Sequence, residues 1–150
     1  PWEAEPMPLS RPLAAPTDLV HQLGRKAAVL LVEDNADSAF VIADLLEQGG
    51  CAVTLAQRGE DAVRLAAEQR PDVILMDIEL PGMNGLEATR VIRALPDTRL
   101  ARTPIIALTA YTDAEDRRRC LAAGMNEHVS KPVHLRTLLD AIHQQLRADG

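Results

Sequence analysis

Aromatic residues are almost missing: Trp2, Phe40 and Tyr111 are the only three in 150 residues. The core must therefore be aliphatic, and a flavin site built on ring stacking has almost nothing to build with. Cysteine is equally sparse, and Cys51 and Cys120 lie too far apart to make a metal-type pair. Cys51 opens an apolar strand and Cys120 falls within a helix, so both read as small core or near-core residues, which suits a reducing, cytoplasmic setting. Bases are outnumbered, 16 Lys and Arg against 22 Asp and Glu, and the net charge of −6 argues against a nucleic-acid partner. The one basic run, Arg117-Arg118-Arg119, follows Asp113, Glu115 and Asp116 and reads as a solvated helix face. No segment nears the roughly 18 apolar residues of a membrane span, and no signal peptide is visible, so no membrane insertion is expected. The four histidines (His21, His128, His134, His143) lack metal-ligand spacing.

Proline is present but crowded to one end. Pro1, Pro6, Pro8, Pro12 and Pro16 are half of the 10 in the chain. Residues 1–25 therefore read as an extended linker, with one short helical turn expected over Leu19 to Leu23. A single domain is expected over residues 26–150. A start at Pro1 rather than Met suggests a piece of something longer.

Within the domain, strand-length apolar runs alternate with helical periodicity. Strands are expected at Ala27 to Val32, Cys51 to Ala56, Val73 to Met76, Ile105 to Leu108 and Glu127 to Ser130. Between and after them, apolar stripes mark five helices: Ala39/Ile42/Ala43/Leu46, Ala62/Leu65/Ala66, Ala88/Val91/Ile92/Leu95, one between Thr112 and Gly124, and Leu135/Leu138/Leu139/Ile142/Leu146. Thr112-x-x-Glu115 has the spacing of a capping box for the fourth. Such alternation implies a parallel sheet with helices on both faces. The first, third and fourth strands are the most apolar and belong in the centre; the second and fifth suit edges. The order 2-1-3-4-5 satisfies this, a flavodoxin-like doubly wound α/β fold.

That winding gives chemistry to the strand ends, because ligands bind beyond the carboxyl ends of such strands. Glu33 and Asp34 follow the first, Asp77 ends the third before Pro81-Gly82, Thr109 ends the fourth, and Lys131 follows the fifth. An ionised Asp can attack phosphorus, but contact with an anionic phosphoryl group costs roughly several kcal/mol at intermediate dielectric. A Mg²⁺ ion with carboxylate ligands removes that obstacle. Asp34 and Asp77 suit direct ligation, with Glu33 direct or through water. Lys131 supplies a compact cation and Thr109 a hydroxyl donor. Any one of these residues alone could be a cap, turn former or surface charge; their coincidence at one sheet edge points to phosphoryl chemistry.

The stretches Val29-Leu30-Leu31-Val32-Glu33-Asp34-Asn35, Asp72 to Asp77, Leu80-Pro81-Gly82-Met83-Asn84-Gly85, Pro104 to Ala110 and Ser130-Lys131-Pro132 resemble the receiver (response-regulator) domain of two-component signalling. The resemblance runs from about residue 26 to 148 in the right order, and Gly85 to Arg90 is similar to receivers inside hybrid histidine kinases. It implies that Asp77 is the phosphoacceptor, taking phosphate from a histidine kinase or a histidine phosphotransfer protein. It further implies that Glu33 and Asp34 hold Mg²⁺ with Asp77, that Glu79 joins that metal site, and that Thr109 and Lys131 sense the phosphoryl group. The Lys131-Pro132 bond is expected to be cis. Such a module is a switch rather than an enzyme, expected here as the C-terminal receiver of a hybrid kinase or, alternatively, a stand-alone regulator.

Some positions depart from the family pattern. His128 stands where an aromatic switch residue is common, and Glu33 where Asp is more frequent. Glu79 and Tyr111 occupy positions that tune hydrolysis in relatives. The competing class is an aspartyl-phosphate phosphatase, but a haloacid-dehalogenase-type enzyme wants a second Asp where Glu79 stands.

Overall fold

The computed structural model describes residues 24–110 and 113–149. Its elements alternate along the chain: β1 (Ala27–Val32), α1 (Ala36–Gln48), β2 (Cys51–Ala56), α2 (Gly59–Gln69), β3 (Val73–Asp77), α3 (Gly85–Ala94), a 3₁₀ turn (Leu100–Arg102), β4 (Ile105–Thr109), α4 (Ala114–Ala123), β5 (Glu127–Ser130) and α5 (Leu135–Asp149). The strands form one parallel sheet in the order β2-β1-β3-β4-β5, as expected. The helical turn expected over Leu19 to Leu23 lies outside the described residues.

Strand alternation sends successive side chains to opposite faces. Val29, Leu31, Val73, Leu75, Ile106 and Leu108 pack with Ile42 and Leu46 of α1 and with Leu138, Leu139 and Ile142 of α5. Leu30, Val32, Ile74, Met76, Ile105 and Ala107 pack beneath Ala62 and Ala66 of α2, Ala88 and Ile92 of α3 and Cys120 of α4. Both faces are covered, which is why β1, β3 and β4 read as unbroken apolar runs. Every residue of β3 and β4 is buried, whereas the edge strand β2 exposes Ala52 and Leu55.

Two details differ from the expected helices. Val91 is 38% exposed, because the buried face of α3 is formed by Gly85, Leu86, Ala88, Thr89 and Ile92 and position 91 falls to its side. Helix α4 is capped by Asp113, whose side chain accepts from the Asp116 backbone N–H. The helix starts at Ala114, a residue later than that spacing implied, and Thr112 lies outside the described residues. Elsewhere the stops match: Gly124 closes α4 in the left-handed region at φ 109°, and Arg70 closes α2 just before Pro71.

At the amino-terminal edge of the sheet, Asp72 clamps the chain. Its carboxylate accepts from Arg25 Nη1 and Nη2 at 2.7 and 2.9 Å and from the Ala28 N–H at 2.7 Å. Burial alone raises a carboxyl pKa, but these bonds, with Arg25 and Arg99 nearby, hold Asp72 below the ordinary carboxylate range. A depressed folded pKa gives stability that is present above the ordinary value and lost as pH falls through the folded one. Asp72→Asn should therefore cost about 1–3 kcal/mol at neutral pH. Urea melts should show that difference between the two proteins shrinking as the pH falls below the usual carboxylate range.

Candidate functional site

Parallel register builds the site. Val32 pairs with Met76, so the next residues along the two strands, Glu33 and Asp77, emerge side by side. Asp77 pairs in turn with Leu108, which puts Thr109 one step beyond, and Thr109 pairs with Ser130, which delivers Lys131. Glu33, Asp77 and Thr109 are buried, at 1%, 4% and 4% exposure, while Asp34 faces solvent.

Lys131 ties the cluster together. Its Nζ donates to Glu33 Oε1 and to Asp77 Oδ2, both at 3.1 Å, and its backbone N–H donates to the Thr109 carbonyl at 2.9 Å. Burial works against its charge, yet the bonds to Asp77 and Glu33 outweigh it and raise its pKa above the ordinary lysine value. For Glu33 burial is the first cause and the neighbouring Asp77 the second; together they raise its pKa despite the bond from Lys131. The Asn35 N–H donates to Glu33 Oε2 at 3.2 Å and the Glu79 N–H to Asp77 Oδ1 at 3.0 Å, fixing both carboxylates. The Lys131-Pro132 peptide is cis, as the resemblance implied.

Glu33, Asp34 and Asp77 each offer an oxygen within 4.8 Å of the others. Among the described residues no histidine or cysteine joins them. Three hard oxygen donors, one of them open to water, suit a small hard dication that keeps part of its hydration shell, which is the preference of Mg²⁺. Glu79, expected among the ligands, lies outside this carboxylate group and is exposed. The sheet ends at Asp77 and the chain turns outward, so what Glu79 contributes to Asp77 is its main-chain N–H. Tyr111 lies outside the described residues. His128 is half-buried on β5, with Nδ1 3.5 Å from Glu127 Oε1.

Several supporting residues were not singled out by spacing alone. Gly85 packs on the main chain of Asp77 and Ile78, where a Cβ would overlap the Asp77 carbonyl oxygen. Its N–H donates to Ile78 O at 3.0 Å, seating the loop under the site. Its place immediately before the third apolar stripe was the available signal. Asp116 and Arg119 line a cavity beside Thr109, a placement only the packing of α4 reveals. The basic run otherwise behaves as a solvated face: Arg118 reaches Glu115 at 4.0 Å and Arg119 reaches Asp116 at 3.4 Å.

Comparison with known proteins agrees with this architecture. Residues 29–143 match the family model of the response regulator receiver domain. The chain is 33% identical to probable histidine kinase 1 of Oryza sativa subsp. indica across 81% of its own length and 16% of that protein's. It is 36% identical to the polar-differentiation response regulator DivK of Brucella anthropi, across 79% of this chain and 95% of DivK. Among solved structures, the receiver domain of sensor histidine kinase PA1611 from Pseudomonas aeruginosa PAO1, with a magnesium ion coordinated in its active-site cleft, is 43% identical, covers 81% of this chain and 98% of that one, and superposes with a TM-score of 0.75. The chain belongs to the response regulator receiver domain family. It spans about a sixth of the length of the rice kinase.

Clustered carboxylates repel, so the metal-free fold gains little from Asp34. Asp34→Ala should weaken Mg²⁺ binding more than tenfold in titration, at about 1.4 kcal/mol per decade. Metal-free urea melts should show the variant as stable as the parent or more so; a large stability loss would make Asp34 a structural residue instead.

Proposed function

We propose that this domain accepts a phosphoryl group on Asp77 from a phosphohistidine of a histidine kinase or histidine phosphotransfer protein and uses it to switch partner interactions. One observation carries the reading: a buried carboxylate at a sheet edge is held beside two further carboxylates by a lysine positioned to meet phosphoryl oxygen. Asp77 Oδ1 is occupied by the Glu79 N–H and Oδ2 by Lys131, so the side chain is oriented before any donor arrives. Glu33, Asp34 and Asp77 would hold Mg²⁺, which would supply the charge neutralisation that lets an anionic phosphoryl group approach the Asp77 carboxylate. Lys131 then exchanges a carboxylate contact for one to a phosphoryl oxygen, and the Thr109 hydroxyl donates to another.

Phosphorylation shifts α4, β5 and α5, whose roots are Thr109 and Lys131. That shift is a population change driven by contacts that only one state offers the phosphoryl group. His128 stands in for the aromatic switch on β5. The module works as a phosphoacceptor rather than an enzyme, without a nucleic-acid partner or membrane insertion of its own, in the cytoplasm. Residues 1–25 act as a tether and 26–150 as the receiver. The similarity to kinase receivers favours a place at the C-terminus of a hybrid histidine kinase; similarity to DivK keeps a stand-alone regulator as the second reading. No helix among the described residues is long and apolar enough to cross a membrane.

Asp77→Asn keeps the size of the side chain and removes the nucleophile. The variant should fold normally and take up no acid-labile, base-labile label from acetyl phosphate or a phosphohistidine donor. Undiminished labelling would move the phosphoacceptor elsewhere.

A further inference from the structure

The segment joining β3 to α3, residues 78–84, carries the Glu79 N–H that donates to Asp77 Oδ1 at 3.0 Å. Three of its side chains hold it to the core: Leu80 is buried, and Ile78 and Met83 pack against the layer that includes Ala62 of α2 and Ala88 of α3. At each end the segment meets bare backbone. Gly85 closes one side against the Asp77 carbonyl. On the other, Met83 lies on Gly59, the first residue of α2. A Cβ at position 59 would stand 2.5 Å from Met83 O and 3.1 Å from both Met83 Cβ and Cγ. That is well inside van der Waals contact, and a main-chain oxygen cannot swing aside as the end of a side chain can.

Helix α2 itself has no use for glycine there. Position 59 is helical and its φ is not positive, and alanine is the better helix former. The missing side chain serves the contact with Met83. We propose that Gly59 is a positioning residue for Asp77: its bare face is the seat for Met83, and that seat keeps the Glu79 N–H on Asp77 Oδ1. The segment is wedged between two glycines, so a side chain at 59 leaves it only the outward direction. Gly85 blocks movement toward the sheet, and the Pro81 ring fixes φ between Glu79 and Met83, which limits how much of a push at Met83 the intervening chain absorbs. Outward movement draws the Glu79 N–H from the carboxylate and frees Asp77 to rotate away from the orientation in which it attacks. This rests on the phosphoacceptor reading of Asp77.

The test compares the full chain with Gly59→Ala in Mg²⁺, by amide exchange and by acetyl phosphate labelling of Asp77. Exchange at the Glu79 N–H should quicken about tenfold, while Leu75 and Ile106 in the central strands change less than about twofold. The labelling rate at saturating acetyl phosphate should fall about tenfold with the half-saturating concentration little changed, the mark of lost orientation rather than lost binding. If the alanine variant does not fold, Met83→Gly empties the seat from the other side and should quicken Glu79 exchange about threefold with Leu75 unmoved. Unchanged Glu79 exchange in a folded variant overturns the proposal. A rise shared equally by Leu75 and Ile106 overturns it too, because Gly59 would then serve general stability alone. A parent chain that takes no label on Asp77 overturns the phosphoacceptor reading, and the positioning role with it, whatever Glu79 does.

Discussion

The contact between Lys131 and the two carboxylates Glu33 and Asp77 is the constraint around which the carboxyl edge of the sheet is organised. Two acids emerging from adjacent central strands repel, and burial makes each one costlier to ionise. One ammonium shared at 3.1 Å offsets both, and it arrives from β5, two strands away from Asp77. Burial, with Asp77 beside it, still raises the pKa of Glu33 despite the bond from Lys131. A site left with surplus negative charge is receptive to a dication and, through the dication, to a phosphoryl group.

The opposite edge of the sheet is solved differently. There Asp72 is fully satisfied, with three donors on one carboxylate and its pKa lowered. The same strand, β3, thus runs from an acid whose partners are complete, just before it starts, to one whose partners are deliberately few. Stability is concentrated at the amino-terminal edge and reactivity at the carboxyl-terminal edge, with four fully buried apolar residues between them. The layout explains why changes at the site should alter binding more than folding.

Much of this was legible in the chain because the physical signals were local. Continuous apolar runs gave the central strands, polar interruptions gave the edges, and Gly124 and Pro71 gave helix ends whose backbone chemistry admits few alternatives. Glu33, Asp34, Asp77, Thr109 and Lys131 could be gathered in advance since strand order alone determines which ends share a crevice. Other features depend on rotation and depth. Val91 looked like core by spacing, yet the buried face of α3 runs through Gly85, Leu86, Ala88, Thr89 and Ile92, and a few tens of degrees decide burial. Thr112 and Asp113 are both residue types that cap helices, so spacing alone did not single out Asp113, which caps α4 through its side chain. Glu79 could be placed near Asp77 but not aimed, because the direction of a side chain after a strand end is fixed by the turn.

The two faces of the sheet also divide the work. By alternation Asp77 continues the series Val73 and Leu75, which packs toward α1 and α5, whereas Thr109 continues Ile105 and Ala107, which packs toward α2, α3 and α4. A group bonded to Asp77 and touched by Thr109 therefore reaches across the sheet edge from one layer to the other. The layer on the Asp77 side is tightly filled by α5, with Leu138, Leu139 and Ile142 all at 1% exposure or less. The layer on the Thr109 side ends in α4, which buries only Cys120 and Ala123. When a contact is added between two layers of unequal rigidity, the displacement falls on the looser one. On the phosphoacceptor reading, the direction in which a signal would leave this site is set less by the chemistry at Asp77 than by where the aliphatic core runs out.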